Sequence, residues 1–239
     1  AATCTSEGYT GDTYCKVCQT KLGAGETIAK TEHNWNSWQK ISDATVFAPQ
    51  KERRTCSICQ TTEERENGSP LSSKMTLSAN SMKLRVKQTT KAFKISDMEK
   101  GDYVTSVESQ NGKLLKVVSF DKNGAVTLKA QKKTGKTKLT VTLKGGAVKT
   151  VIVTIQKGIV KTTKIKGVPK SLTLKKGTKK TLVPILTPIT TQQKVTYKTS
   201  NKKICTVSKK GLLTAKKKGT AKITVRSGSK KVVVTVKVK

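Results

Sequence analysis

Most of this chain is a tandem repeat of one β-rich pattern, present in two copies at residues 74–158 and 162–239. Each copy contains a tight turn that ends in glycine, at Gly124 and at Gly211. In both copies a short apolar run, a second glycine and a longer alternating run then follow in the same order. Repeated β modules of this kind usually bind or support other molecules, so the sequence disfavours catalysis.

The runs inside the two copies have the periodicity of β-strands. Leu139–Leu143 and Val232–Lys239 alternate apolar residues with Thr or Lys, which is typical of strands with one wet face. Glycine turn signals separate such runs, and no window predicts an amphipathic helix. Pro184 and Pro188 flank a short run and predict an edge strand or a strand switch there. The sequence therefore predicts a mainly β chain with two small antiparallel β-sandwiches.

The second copy closely resembles bacterial Ig-like group 2 domains, the invasin and intimin type of surface module. The segments that carry the resemblance are Ser171-Leu-Thr-Leu-Lys-Lys-Gly177, Thr196-Tyr-Lys-Thr-Ser-Asn201, Val207-Ser-Lys-Lys-Gly211-Leu-Leu-Thr-Ala215 and Gly219-Thr-Ala-Lys-Ile-Thr-Val225. Residues 74–158 resemble a more divergent member. The resemblance implies two tandem Ig-like sandwiches in a secreted or cell-surface bacterial protein. It implies no enzyme.

Positive charge is concentrated in the two copies. Residues 1–73 carry eight basic and nine acidic side chains, whereas the other 166 residues carry 41 basic and five acidic ones. No acidic side chain follows Asp121. Internal salt bridges cannot neutralise this surplus, so the copies must project a positive field that favours an anionic partner.

The distribution of the lysines indicates which kind of anion fits. They are spread over many strands and turns, and the copies hold four aromatic side chains, Phe93, Tyr103, Phe120 and Tyr197. Nucleic acid is disfavoured, because single-strand grooves interleave aromatic platforms with basic side chains. Diffuse lysine suits an anionic glycan or a cell-wall polymer. The family's use in host adhesion adds a host protein such as an immunoglobulin.

A purely structural role is the alternative to binding. The segment would then be a stalk or spacer that presents an upstream enzyme or adhesin, and we expect the chain to be a fragment of a larger protein. Its lysines would keep the surface soluble and the sheet edges unpaired. Under either hypothesis we expect a monomer.

The first 70 residues hold the candidate metal ligands. Cys15-Lys-Val-Cys18 and Cys56-Ser-Ile-Cys59 are two Cys-x-x-Cys motifs, and each aims two thiolates at one point. Together the four cysteines predict one structural zinc in a small cysteine-rich, zinc-ribbon-like β-hairpin module at residues 1–70. A segment with so few aliphatic side chains needs such a staple.

Two alternatives to the four-cysteine site stay open. If the chain folds back so that the first cysteine meets the only histidine, a Cys3His zinc site forms, and Cys15 and Cys18 are left as a disulfide. The residues of this second set are Cys4, His33, Cys56 and Cys59. The other alternative is disulfides without a metal, which an extracellular location favours. Five cysteines would leave one unpaired.

Two tryptophans and one further cysteine complete the candidate residues. Trp35 and Trp38 could form an aromatic platform for a ligand, or could supply the hydrophobic mass of a miniature core. The His33-Asn-Trp35 element resembles Cys-x-x-Cys repeats that accompany Ig-like modules in surface proteins of Gram-positive gut bacteria. Cys205 lies on an apolar strand and is predicted to be a buried free thiol.

The residues needed for enzymatic catalysis are scarce in this sequence. A single histidine permits one His-based triad at most, and the five acids of the two copies all fall between Asp97 and Asp121. No phosphate-binding loop or nucleophile elbow follows a predicted strand. No hydrophobic run is long enough to cross a membrane, so no membrane insertion is expected.

Overall fold

A computed structural model describes all 239 residues and contains 25 β-strands and no helix. This confirms the predicted fold class. The chain divides into two compact units, which we call the cysteine-rich unit (Ala1–Ser72 with Glu99–Gly101) and the sandwich unit (Ser73–Met98 with Asp102–Lys239). No helix in the structure is long and apolar enough to span a membrane.

The cysteine-rich unit consists of seven short strands, which are β1 Gly8–Tyr9, β2 Thr13–Tyr14, β3 Lys21–Gly23, β4 Thr27–Ile28, β5 Gln39–Ser42, β6 Gln50–Thr55 and β7 Thr62–Asn67. They form three small antiparallel sheets with the orders β1-β4, β2-β3 and β5-β6-β7. Opposite charges face each other across β6 and β7, which favours the observed register. The ion pairs are Arg53–Glu64, Arg54–Glu63 and Arg65–Glu52.

Almost nothing apolar is buried in the cysteine-rich unit. Before Met75, only Cys4 and Cys56 belong to the buried hydrophobic side chains of the chain. Larger side chains such as Val17 and Leu22 are 94% and 70% exposed. A unit without a hydrophobic core requires another source of stability.

The first sandwich of the sandwich unit is built from nine strands. They are β8 Thr76–Leu77, β9 Ser81–Arg85, β10 Thr89–Thr90, β11 Ile95–Ser96, β12 Val104–Ser109, β13 Leu115–Phe120, β14 Val126–Ala130, β15 Gly135–Leu143 and β16 Val148–Gln156. The main sheets have the orders β12-β15-β16-β9 and β10-β14-β13, and β8 pairs with β11. The apolar side chains of these sheets form one core that includes Phe93, Leu128 and Leu139.

The second sandwich repeats this topology strand for strand. Its strands are β17 Lys164–Lys166, β18 Ser171–Leu174, β19 Lys179–Thr181, β20 Ile185–Thr187, β21 Val195–Thr199, β22 Cys205–Val207, β23 Leu212–Ala215, β24 Gly219–Ser227 and β25 Lys230–Val238. The sheet orders are β18-β25-β24-β21 and β19-β23-β22, with β17 paired to β20. A separate core contains Leu213, Ile223 and Val234. The nine strands of each sandwich lie in the predicted segments 74–158 and 162–239, whose boundaries stay predictions.

Alternation along the long strands produces the two-faced sheets. In β24 and β25 the side chains of Ile223, Val225, Val234 and Val236 are fully buried, and the residues between them face outward. Most strand pairs are antiparallel as expected, but β9 joins β16 and β18 joins β25 in parallel. The proline-flanked strand β20 pairs only with β17, which confirms an edge position. Cys205 is a fully buried free thiol, as predicted.

The turn glycines of the two sandwiches have the same conformation and the same hydrogen-bonding role. Gly124 and Gly211 have φ of +91° and +82°, which glycine adopts without steric cost. Their carbonyl oxygens accept hydrogen bonds from Ile95 N and Leu182 N, each 2.9 Å long. The glycine of the repeated pattern therefore closes a turn onto a neighbouring chain segment in each copy.

Candidate functional site

The turn between β6 and β7 presents two thiols side by side. We call residues 56–61 the Cys56 knuckle. Cys56 N donates to Thr61 O over 2.8 Å, and Gln60 N donates to Cys56 O over 3.0 Å. Gln60 has a φ of +60°, which lets the chain turn back toward β7. Cys59 Sγ lies 3.2 Å from Thr61 Oγ1, so the second thiol is hydrogen-bonded within the turn.

The segment that carries the only histidine runs beside the Cys56 knuckle. Trp35 forms an isolated antiparallel bridge with Cys56, and Ser57 N donates to Asn34 O over 2.8 Å. These backbone bonds hold His33 against the knuckle. As a result His33 Nδ1 lies 3.3 Å from Cys59 Sγ.

The N-terminal segment supplies the fourth side chain. Strand β1 pairs with β4, and Thr31 N donates to Thr3 O over 3.1 Å. This pairing aligns Cys4 with the chain that leads to His33. Cys4 is 6% exposed and Cys56 is fully buried.

Three thiols and one imidazole therefore converge on one point. The ligand atoms of Cys4, His33, Cys56 and Cys59 all lie within 4.8 Å of one another, and we call these four residues the Cys4–His33 cluster. A tetrahedral zinc with bonds of about 2.3 Å to sulfur and about 2.0 Å to nitrogen separates its ligands by about 3.5–3.8 Å. The cluster can close to that size by small side-chain shifts, and its Cys3His composition is that of structural zinc sites. The donor set thus fits a tetrahedral metal ion.

The environment of the cluster divides its thiols into two kinds. The backbone N–H of Cys59 is the main cause that lowers the pKa of Cys56 to about 6, and hydrogen bonds from Thr61 lower the pKa of Cys59. The hydrogen bond to Cys59, followed by burial, raises the pKa of Cys4 to about 11. The hydrogen bond with Cys56 raises the pKa of His33. The lowered pKa values of Cys56 and Cys59 ease the deprotonation that metal binding requires, whereas a metal ion would have to displace the proton of Cys4.

The structure brings together one of the two predicted ligand sets. Cys4, His33, Cys56 and Cys59 form the cluster, and Cys15 and Cys18 do not belong to it. All six cysteines are unbridged. Cys15 and Cys18 occupy the turn between β2 and β3, where hydrogen bonds with Thr20 lower the pKa of Cys18 to about 7. The four-cysteine site stays a prediction that this geometry does not favour.

Both tryptophans are covered by arginines, and Trp35 lies beside two of the four clustered side chains, His33 and Cys56. The Arg54 guanidinium lies 4.7 Å from the ring centroids of Trp35 and of Trp38, and Arg65 lies 4.2 Å from Trp38. The ring of His33 is 4.7 Å from that of Trp35. Guanidinium groups on the ring faces favour a structural role for the tryptophans, because a sugar would need those faces. The sequence did not single out Arg54, although it lies two residues before a candidate ligand.

The outer face of the sheet β18-β25-β24-β21 is a second candidate site, which we call the basic face. Outward positions on three of its strands carry five exposed basic side chains, interspersed with threonines such as Thr196 and Thr220. The basic residues are Lys198, Lys222, Arg226, Lys231 and Lys237. No acidic side chain follows Asp121, so nothing acidic within the sheet opposes them. Adjacent strands lie about 4.8 Å apart, which spreads the charge over a broad surface.

A half-open cleft of about 880 Å³ lies in the sandwich unit. Its lining includes apolar residues such as Ile159, Ile185 and Pro188, and three lysines. No acid, histidine or cysteine lines it. The lining lacks the paired acid and base groups of hydrolytic sites.

Comparison with known proteins identifies one segment of the chain. Residues 161–238 match the family model of the bacterial Ig-like domain (group 2). No curated protein matches the chain.

Several solved structures are similar to the chain. A GH10 xylanase from termite gut that contains a bacterial Ig-like domain is 27% identical over 28% of this chain, which spans only 18% of the xylanase, with a TM-score of 0.26. Domains 4 and 5 of the S-layer protein SbsC are 16% identical over 87% of this chain and 98% of their own, with a TM-score of 0.32. Mouse protocadherin PcdhgC3 EC1-3 is 11% identical over 92% and 85%, with a TM-score of 0.30. Such low TM-scores carry no argument about function. The family match alone identifies residues 161–238 as a bacterial Ig-like domain of group 2.

Proposed function

We propose that this chain is a non-catalytic contact segment of a bacterial surface or secreted protein, and that its ligand is an anionic glycan or cell-wall polymer. The basic face is the observation that carries the proposal. Five cations and no acid on one sheet face create a positive potential that no acidic side chain of the sheet neutralises. A repeating polyanion can contact several of these cations at once.

The first sandwich shares the architecture of the second. Its nine strands have the same order and pairing as those of residues 161–238, and Gly124 repeats the hydrogen bond of Gly211. We infer that residues 74–158 are a divergent bacterial Ig-like group 2 domain in tandem with the second. The outward side chains of its sheet β12-β15-β16-β9 include Lys83, Lys136 and Lys138, together with the acidic Glu108 on β12.

We also propose a structural zinc ion that stabilises the cysteine-rich unit. Cys4, His33, Cys56 and Cys59 would hold it, and it would stabilise a unit whose buried apolar side chains are two of those ligands. The ion would have a structural role, because four protein ligands leave no open position for a substrate.

Replacing the lysines of the basic face tests the binding hypothesis. We expect the variant Lys198→Gln, Lys222→Gln, Lys231→Gln and Lys237→Gln to bind purified teichoic acid at least about tenfold more weakly, since each lost cation contributes up to about 1 kcal/mol. Wild-type affinity should fall as salt rises, because the Debye length shortens from about 10 Å at 0.1 M to about 3 Å at 1 M. Biolayer interferometry over a salt series measures both effects.

A charge-matched variant serves as the control. Gln at Lys179, Lys180, Lys209 and Lys217 removes the same charge from exposed positions elsewhere in the same sandwich. If both variants lose affinity equally, net charge and not the basic face is responsible. Binding to a host protein such as immunoglobulin that survives high salt would replace the polymer with a protein ligand. If no ligand binds at any salt concentration, the stalk or spacer role stands instead.

A further inference from the structure

The turn between β2 and β3 has the same structure as the Cys56 knuckle. We call residues 15–20 the Cys15 knuckle. Cys15 N donates to Thr20 O over 2.8 Å, and Gln19 N donates to Cys15 O over 2.9 Å. Gln19 has a φ of +57°, and Cys18 Sγ lies 3.3 Å from Thr20 Oγ1. All four features match those of the Cys56 knuckle within 0.1 Å and 3°. Both turns therefore share one hydrogen-bonded frame that holds two cysteines three positions apart on the same turn.

The two knuckles differ in what surrounds their thiols. Cys4 and His33 complete the Cys56 knuckle, but no third histidine, cysteine or carboxylate joins Cys15 and Cys18 in a potential metal cluster. Cys18 is exposed and Cys15 is partly exposed. At the tip, the side chain of Val17 is 94% exposed, compared with 65% for its counterpart Ile58. The Cys15 knuckle thus offers two accessible donors with no neighbours to complete a tetrahedron.

We propose that the Cys15 knuckle is a metal half-site, and that two copies of this chain share one zinc ion held by Cys15 and Cys18 of each copy. Zinc in structural sites takes four ligands, and four thiolates are one of its commonest sets. A second copy supplies the two missing thiolates in the same geometry, related by a two-fold axis through the ion. The exposed tip lets two knuckles approach without unfolding either hairpin.

The charge of this region permits such a contact. Residues 1–73 are close to neutral, with eight basic and nine acidic side chains. Two copies that meet through this segment therefore bring no large surplus of like charge from it to the contact. This inference concerns residues outside the Cys4–His33 cluster and does not depend on the proposed ligand of the basic face.

Zinc stoichiometry and mass together test the shared site. The reduced, metal-free full chain is saturated with zinc and desalted, bound zinc is measured by elemental analysis, and mass is measured by light scattering. We expect about 1.5 zinc ions per chain and a dimer for the wild type, but about one ion per chain and a monomer for Cys15→Ser/Cys18→Ser. The matched control Val17→Ser changes the exposed tip and keeps both thiols, so it should behave as the wild type.

Each other result is decisive. About one ion per wild-type chain, or a dimer that persists in Cys15→Ser/Cys18→Ser, overturns the proposal. About two ions per chain without a dimer also overturns it, because the half-site would then be completed by water. A Cys15–Cys18 disulfide in protein isolated without reductant would also overturn the proposal. If the double variant binds no zinc while the wild type forms a dimer with about 0.5 ion per chain, the half-site stands and zinc at the Cys4–His33 cluster fails.

Discussion

Removal of zinc with a chelator is expected to unfold the cysteine-rich unit and to leave both sandwiches folded. The unit buries Cys4 and Cys56 and no larger apolar side chain, so the proposed zinc would be its main source of stability. Structural zinc sites contribute about 10–16 kcal/mol of apparent binding free energy at neutral pH, and folding of such units is coupled to binding. Each sandwich has its own hydrophobic core and needs no metal.

The two tryptophans make this experiment specific. Trp35 and Trp38 are the only tryptophans of the chain, and both belong to the cysteine-rich unit. Their emission should shift to the red on chelation, while the far-ultraviolet circular dichroism of the sandwiches changes little. Cys59→Ser should reproduce the shift without a chelator. Cys15→Ser, the matched serine in the other knuckle, should not. Unchanged tryptophan emission after verified metal loss would contradict the proposed structural role of zinc.

Substitution of Gly211 by alanine should destabilise the second sandwich by about 2–5 kcal/mol. Gly211 has a φ of +82°, and a Cβ there would lie 2.7 Å from Leu182 O and 2.8 Å from the hydroxyl oxygen of Tyr197. The new methyl group must push back the backbone of Leu182, whose N–H donates to Gly211 O across the turn. The loss therefore combines backbone strain with steric overlap.

Gly177 separates these two contributions. Its φ is +84°, but no atom lies within 4 Å of a Cβ placed there. Gly177→Ala should therefore cost only the strain, about 1–2 kcal/mol. Hydrogen exchange of the amides of β23, read by mass spectrometry along a urea series, reports the stability of this sandwich in each variant. Equal losses for the two alanines would show that steric contact contributes nothing.

Periodicity predicted the sandwiches well because each strand carries its own signal. The alternation in Val232–Lys239 marks a two-faced strand, and the structure places Val234, Val236 and Val238 in the core. The direction of pairing carries no such signal. Ser81–Arg85 alternates in the same way whether it joins β16 in parallel or antiparallel, so the parallel pairing emerged only from the connection between the sheets.

The sequence predicted which residue types form the Cys4–His33 cluster, but it did not predict which cysteines and histidine come together. Cys-x-x-Cys spacing fixes two thiols on one turn, and both knuckles satisfy it equally. The choice between them depends on the bridge of Trp35 to Cys56 and on the pairing of β1 with β4. Those are contacts between segments that are distant in sequence and have weak strand signals. The basic face was also not predicted residue by residue, because the lysines are spread over many strands and turns of the two copies.

The parallel pairs β9–β16 and β18–β25 join the second strand of each sandwich to its last strand. Tension applied to the two ends of such a module would slide these strands past each other, so that their hydrogen bonds must rupture together and not one after another. We expect each sandwich to resist extension strongly, which single-molecule stretching would register as a high rupture force. If a protein with such sandwiches is fixed at one end and bound to a ligand at the other, shear flow pulls on both ends. The parallel strand pairs would then resist unfolding.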